Sequence, residues 1–202
     1  MSRTSRVLAV FVALIALAGA AAAEGAGGAF FQIVKPDWNP SFLPDARMPY
    51  NVDYFGGYGY GVTYDGSIIG GFGFGFFDSN SMGFLSNWDA QYHMAGGVGG
   101  VIVGARLVGT RLVHLDLASR LGLGGLWYYN PSALWRNKGY AIAYAEPYVE
   151  LGLGFTSWMH LSATLGYAVM ANIVPGLAFE DFVNRSPTLG FTVSFGDFER
   201  PW

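Results

Sequence analysis

Between Tyr140 and Asn172 the chain alternates strictly between apolar and polar positions. Ala141, Ala143, Ala145, Pro147, Val149, Leu151, Leu153 and Phe155 fall on one side of an extended backbone. Tyr140, Tyr144, Glu146, Tyr148, Glu150, Gly152 and Gly154 fall on the other, interrupted only by Ile142. After Thr156-Ser157-Trp158 the pattern resumes. Met159, Leu161, Ala163, Leu165, Tyr167 and Val169 stand opposite His160, Ser162, Thr164, Gly166, Ala168 and Asn172. Successive side chains of a strand point to opposite faces, so this stretch predicts a hairpin with one apolar and one polar face. A soluble sandwich strand also alternates. Here the apolar rows are long and the polar rows carry carboxylates, a histidine and tyrosine hydroxyls, as in a transmembrane barrel with lipid outside and a polar lumen inside.

The same period marks six further strands. Gly28 to Val34, Tyr54 to Tyr64 and Ser67 to Phe77 read as the first three. Asp65-Gly66 forms the strongest short hairpin signal in the chain. A two-residue turn there sets Tyr58, Tyr60 and Tyr64 on the face of Ile69, Gly71 and Gly73. Phe72, Phe74 and Phe76 then share the other face with Gly57, Gly59 and Gly61, so the phenylalanines are expected toward lipid and the tyrosines inward. Ala95 to Val108 is the fourth strand, with Val101, Val103, Ala105 and Leu107 outward and Arg106 inward. Arg111 to Tyr129 is the fifth, with Val113, Leu115, Leu117, Leu121, Leu123 and Trp127 outward and His114, Asp116, Ala118, Arg120, Gly122 and Gly124 inward. Thr188 to Phe198 closes the set, with Leu189, Phe191, Val193 and Phe195 outward.

Long connections are expected at 35–53, 78–94, 130–139 and 174–187, alternating with short turns. The first of these carries Pro36, Pro40, Pro44 and Pro49, which exclude a central strand. Eight strands, short turns on one side and long loops on the other, predict an all-β fold: an eight-stranded antiparallel up-and-down transmembrane β-barrel. Eight strands leave an interior that side chains just fill.

Composition places this barrel in a compartment. Arg3 and Arg6, the apolar run Val7 to Leu17 and Ala21-Ala22-Ala23 have the layout of a secretory signal peptide. The run of 11 residues is too short for a membrane helix, which needs about 20. The expected division is a signal peptide over 1–23 and an outer-membrane barrel domain over 24–202. Removing Arg3 and Arg6 from the 11 basic residues leaves 9 against 14 acidic ones, a balance that argues against a nucleic-acid partner. The chain has no cysteine and only 12% charged residues, apolar for a secreted soluble domain. Interleaving lipid-facing and lumen-facing residues in a barrel reconciles that composition with the lack of a long apolar run.

From Gly28 to the C-terminus the chain resembles the small eight-stranded outer-membrane barrels of the OmpX, OmpW and OmpA-membrane-domain type. Thr188, Gly190, Val193 and Phe195 in the last strand resemble their insertion signal, although Glu199 to Trp202 extend past Phe198, where many members end on an aromatic. The resemblance implies a bacterial outer-membrane location and handling by the outer-membrane assembly machinery. It also implies a monomer whose partners are the bilayer and lipopolysaccharide-type lipids, without a cofactor. The role expected from it is structural or surface-interactive through the long loops. A narrow OmpW-like channel is the alternative, and a lipid-modifying enzyme comes after it. A lipocalin-like carrier would need the opposite polarity.

The candidate chemistry lies in the inward row: Arg106, His114, Asp116, Arg120, Glu146, Glu150 and His160. Buried charges persist when paired, so these read first as a salt-bridged lumen network and second as a polar constriction selecting solutes. His160 and Ser162 share a face near Glu146 and Glu150, but the expected register pairs Glu150 with Thr164 and leaves His160 toward the turn, so no catalytic set is assigned. His93 with Asp89 is too small a set for a metal. Trp127, Tyr128, Tyr129 and Trp135 at one end, and Trp158 at the other, suit aromatic girdles at the two membrane interfaces.

Overall fold

The computed structural model describes residues 24–35, 52–78, 93–129, 138–173 and 183–196. The expected signal peptide, most of the four long loops, Trp135 and Asp89 lie outside them. Eight strands follow in chain order: β1 Glu24–Val34, β2 Val52–Val62, β3 Ser67–Asp78, β4 His93–Gly109, β5 Val113–Tyr129, β6 Lys138–Gly154, β7 Met159–Asn172 and β8 Val183–Gly196. Each pairs antiparallel with its neighbours, and β1 pairs with β8 to close the barrel. The seam runs from Ala26 opposite Gly196 to Val34 opposite Thr188.

The first strand therefore begins at Glu24 rather than Gly28. The small residues ahead of Phe30 are part of the wall because β2 and β8 come close to them. A Cβ on Gly28 would lie 1.9 Å from the Val193 carbonyl oxygen, so only glycine admits this closure. Elsewhere the expected loops are shorter than the pattern suggested. Val52, Asp53, Asp78, His93, Met94, Lys138, Gly139 and Val183 to Pro187 all belong to strands. Pro187 and Pro147 fit because their side chains face outward; Pro147 has no N–H to give β7, and the β6–β7 ladder is interrupted between Ala145 and Tyr148.

The turn between β2 and β3 corrects the expected faces of β3. Thr63 N donates to Ser67 O at 2.9 Å and Gly66 N to Thr63 O at 2.9 Å, so the loop holds three residues, Tyr64, Asp65 and Gly66. Gly66 takes the left-handed conformation such a loop requires, with φ 82°. The hydroxyls of Thr63 and Ser67 donate to the Asp65 carboxylate and hold its pKa below the ordinary carboxylate value. One residue more than the expected two slips the register by one, and a one-residue slip turns every side chain over. Tyr58 now faces Phe72, and Tyr54 faces Phe76. Phe72, Phe74 and Phe76 are 4%, 5% and 1% exposed and point into the lumen beside the tyrosines, not toward lipid. Tyr64, expected inward, is an exposed turn residue.

The other rows keep the expected polarity. Val101, Val103, Leu107, Leu117, Leu121, Leu123, Val149, Leu151, Leu153, Leu165, Leu189, Phe191 and Phe195 are exposed on the outer wall. A β-bulge between Arg106 and Val108 lets both Leu107 and Val108 face outward before the turn to β5. The turns after β2, β4 and β6, together with both termini of the described barrel, lie at one end. The strand ends that flank the long connections lie at the other. Strands β4, β5 and β6 each run for 17 residues, against about 10 needed to cross a tilted bilayer.

The inner and outer glycines separate on substitution. A Cβ on inward-facing Gly100 would lie 2.0 Å from the Leu121 carbonyl oxygen, while one on outward-facing Gly73 has Val98 O at 3.9 Å as its nearest neighbour. Gly100→Ala should destabilise by about 1–3 kcal/mol or prevent folding, and Gly73→Val should leave stability within about 0.5 kcal/mol. Urea titration of the refolded barrel, read by the mobility difference between unboiled and boiled samples, measures both.

Candidate functional site

Strand register assembles the charged residues of the lumen. Arg106 on β4 lies opposite Asp116 on β5. Asp116 in turn lies opposite Glu150 on β6, and Arg120 opposite Glu146. Two carboxylates directly opposite each other repel, so the Asp116–Glu150 pair needs a neighbouring cation. Arg106 supplies one, donating Nε to Asp116 Oδ1 at 2.8 Å and Nη2 to Oδ2 at 3.0 Å, with a further bond from Nη2 to the Tyr60 hydroxyl at 3.2 Å. His114 lies on the other side, its Nε2 3.4 Å from Glu150 Oε1 and 3.9 Å from Asp116 Oδ2. Its Nδ1 is 2.9 Å from Nδ1 of His160 on β7. The His114 ring occupies the space that a Cβ on Gly152 would take, 1.8 Å from that position.

A second cluster lies further from the turns. Glu146 accepts four side-chain donors from four strands: Gln32 Nε2 of β1 at 2.8 Å, Arg120 Nη1 of β5 at 2.8 Å, the Tyr144 hydroxyl of β6 at 2.8 Å and Thr188 Oγ1 of β8 at 2.7 Å. The guanidinium carbon of Arg120 lies 4.5 Å from the Phe30 ring centroid and 4.4 Å from that of Tyr148. Ion pair and ring faces together hold a fully buried cation.

Beyond Glu146 the lumen is aromatic. Tyr54 stacks on Phe74 at 4.8 Å, Tyr144 meets Phe74 edge-on at 5.2 Å, and Phe30 meets it at 5.9 Å. This layer spans from β1 through β2 and β3 to β6. Met94, Leu126, Tyr128, Ile142 and Met170 are buried with it on the side of the long loops. The lumen thus carries the Asp116 and Glu146 ion pairs toward the turns and the aromatic layer toward the loops, where buried Asp78 and Asn172 add polar groups.

The aromatic girdle divides. Trp127 is 60% exposed on the outer wall, whereas the next residue, Tyr128, is 1% exposed and packs edge-on against Tyr140 in the lumen. Tyr128 is therefore not an interface aromatic, because strand alternation turns it inward. The backbone of Tyr129 ends β5 opposite His93. Trp158 is exposed at the turn end and stacks on Phe195 at 6.0 Å. In β8, Thr188 and Gly190 face inward, and Val193 and Phe195 face outward. His93 Nδ1 pairs with Asp78 Oδ2 at 2.5 Å. Among the described residues no group of three His, Asp or Glu side chains is placed to hold a metal ion. Ser162 Oγ has no hydrogen-bond partner, so it is not joined to His160 as a nucleophile is to its base.

Sequence reasoning missed Gln32, Phe30, Tyr144 and Tyr148 as parts of the Arg120–Glu146 site, and Tyr60 as a partner of Arg106. Tyr144 and Tyr148 were in view, two residues either side of Glu146 on the same face. Gln32 and Phe30 reach the site only through closure of the β1–β8 seam.

Ion pairs buried inside an exposed apolar wall match the inside-out arrangement of transmembrane barrels. No family model matches the chain, and no curated protein does. Among solved structures, it is similar to Ail, the attachment invasion locus protein of Yersinia pestis. The match has 12% identity and a TM-score of 0.47, covering 85% of this chain and 97% of that one. The same protein in complex with the heparin analogue sucrose octasulfate matches at 13% identity with the same TM-score and coverage.

Removing Glu146 leaves Arg120 buried without its counter-charge. Glu146→Ala should therefore destabilise the barrel by about 3–5 kcal/mol. Pairing it with Arg120→Met, which removes the stranded charge, should recover most of that loss. Urea unfolding of the single and double variants gives the comparison.

Proposed function

We propose that this chain is an integral outer-membrane barrel that acts as a sealed anchor, displaying its long loops on the side opposite its termini, without catalysis. The observation that carries this reading is the filled lumen behind an apolar wall. The outer rows of β4 to β8 are predominantly apolar, with leucine, valine and phenylalanine their exposed large side chains, as lipid contact requires. Inside, the Glu146 cluster and the aromatic layer bridge from one side of the barrel to the other. A protein that neither conducts nor reacts at its centre acts through the parts that leave the bilayer, here the connections at 36–51, 79–92, 130–137 and 174–182.

The channel reading draws on the ionic half of the lumen, where Ser162, Thr164 and Thr192 add hydroxyls to the wall. That half ends against Phe72, Phe74 and Tyr144, so a passage would have to move these rings. The enzyme reading has less support, since the Ser162 hydroxyl is buried, faces the lumen and lacks a base.

The absence of cysteine makes topology directly testable. A single cysteine at Ser132 should react with a membrane-impermeant maleimide on intact cells. One at Ser157 should react only after the outer membrane is permeabilised; reaction at Ser157 on intact cells would reverse the orientation. In planar bilayers the protein should show no conductance steps, while the combined variant Phe72→Ala, Phe74→Ala, Tyr144→Ala should show them. Steady conductance by the unmodified protein would move the channel reading to first place.

A further inference from the structure

The turns after β4 and β6 enclose a cleft of about 610 Å³, lined by Thr110, Arg111, Leu112, Gly154, Phe155 and Thr156. Its floor is backbone. Gly154 N donates to the Leu112 carbonyl at 2.8 Å, joining the two turns, and a Cβ on Gly154 would lie 2.4 Å from the Arg111 carbonyl oxygen. Both walls are fixed. Thr110 N donates to Val113 O at 2.8 Å, Thr110 Oγ1 donates to the same carbonyl at 3.0 Å, and Val113 N donates back to Thr110 Oγ1 at 3.0 Å. Across the cleft, Trp158 N donates to Thr156 Oγ1 at 3.3 Å.

Arg111 is exposed at this cleft and makes no ion pair among the described residues. It is the only cation in the three short turns. Leu112 and Phe155 flank it at 67% and 63% exposure, and Trp158 stacks on Phe195 beside them. A guanidinium between exposed apolar side chains, at the edge of a lipid-facing wall, matches an occupant with a compact anion attached to hydrocarbon.

We propose that this cleft binds an anionic glycerophospholipid of the leaflet on the turn side. The phosphate meets Arg111, and the acyl chains lie against Leu112 and Phe155. The assignment rests on the reading of the chain as a membrane barrel. Charge complementarity at the cleft favours an anion, although acidic residues outnumber basic ones in the chain. Any preference for anionic lipid must therefore arise locally. The wall continuing from the cleft favours lipid over a soluble anion or an acidic peptide, since neither would cover Leu112 and Phe155.

Trp158 reports on the site. The barrel is reconstituted in bilayers containing brominated phosphatidylglycerol or brominated phosphatidylcholine, and the Trp158 signal is isolated by subtracting that of Trp158→Phe. Brominated phosphatidylglycerol should quench with about fivefold higher relative affinity, as one cation near a membrane surface gives, and Arg111→Gln should abolish the difference. Equal quenching by both lipids, or a preference unchanged in Arg111→Gln, would overturn the site while leaving the barrel reading intact. Quenching by neither lipid would overturn both. Inorganic phosphate at matched ionic strength should leave the preference in place; its loss would mark a site for the anion alone and end the lipid assignment.

Discussion

The carboxylate of Glu146 is the group on which the interior depends. A buried anion is tolerated only with its counter-charge and its hydrogen bonds in place, and here those come from β1, β5, β6 and β8. Two of these donors, Gln32 and Thr188, sit on the strands that meet at the seam. An open seam would part Gln32 from Glu146, because β1 comes near β6 only through its pairing with β8. Satisfaction of this one side chain therefore favours closure, and closure excludes the water that would weaken the ion pair. The Arg120 guanidinium extends the same coupling, since its ring partners, Phe30 and Tyr148, come from opposite walls.

The ion pairs near the turns obey a more local rule. Asp116 and Glu150 face each other directly across β5 and β6, an arrangement that alone would push the strands apart. Arg106 is placed to compensate from β4, with two bonds to Asp116. The geometry is fixed by register, so the β-bulge matters: it falls just beyond Arg106 and leaves the Arg106–Asp116 pairing undisturbed while the hairpin turns away.

Much of this was legible in the sequence, and the reason is the period of two. Strands β5 to β8 carry mostly apolar residues on the outer row and most of their charged, hydroxyl and small residues on the inner one, so alternation assigns their faces despite inward Leu126, Ile142 and Met170. Alternation is why Arg120 and Glu146 could be named as lumen residues, and the three-residue turn after β6 sets Glu150 opposite Thr164 as expected, whereas the pairing of Arg120 with Glu146 needs the β5–β6 register. Tyr128 was misplaced by grouping it with its aromatic neighbours instead of following alternation. The early start of β1 was hidden because glycine and alanine carry no face signal. Gln32 and Phe30 could not be tied to Glu146 without the seam, a contact between residues 114 positions apart.

The misplaced face of β3 has a deeper cause than one extra turn residue. Reading phenylalanine as lipid-facing assumes that the lumen is uniformly polar, and here it is not. An eight-stranded barrel has a fixed, narrow interior, so bulk on one wall demands small side chains on the other. Phe30, Tyr54, Phe72, Phe74 and Phe76 project from β1 to β3, while Ser162, Thr164, Gly166, Ala168, Gly190 and Thr192 face them from β7 and β8. The outer rows are complementary: glycines at 57, 73, 75 and 99 behind the aromatic side, leucines and phenylalanines behind the small side. Between Tyr54 and Val62 and between Ile68 and Phe77 both faces therefore consist of apolar, aromatic or glycine residues, and hydropathy carries no sign. Only the hydrogen bonds of the Thr63–Ser67 turn decide which row is inside.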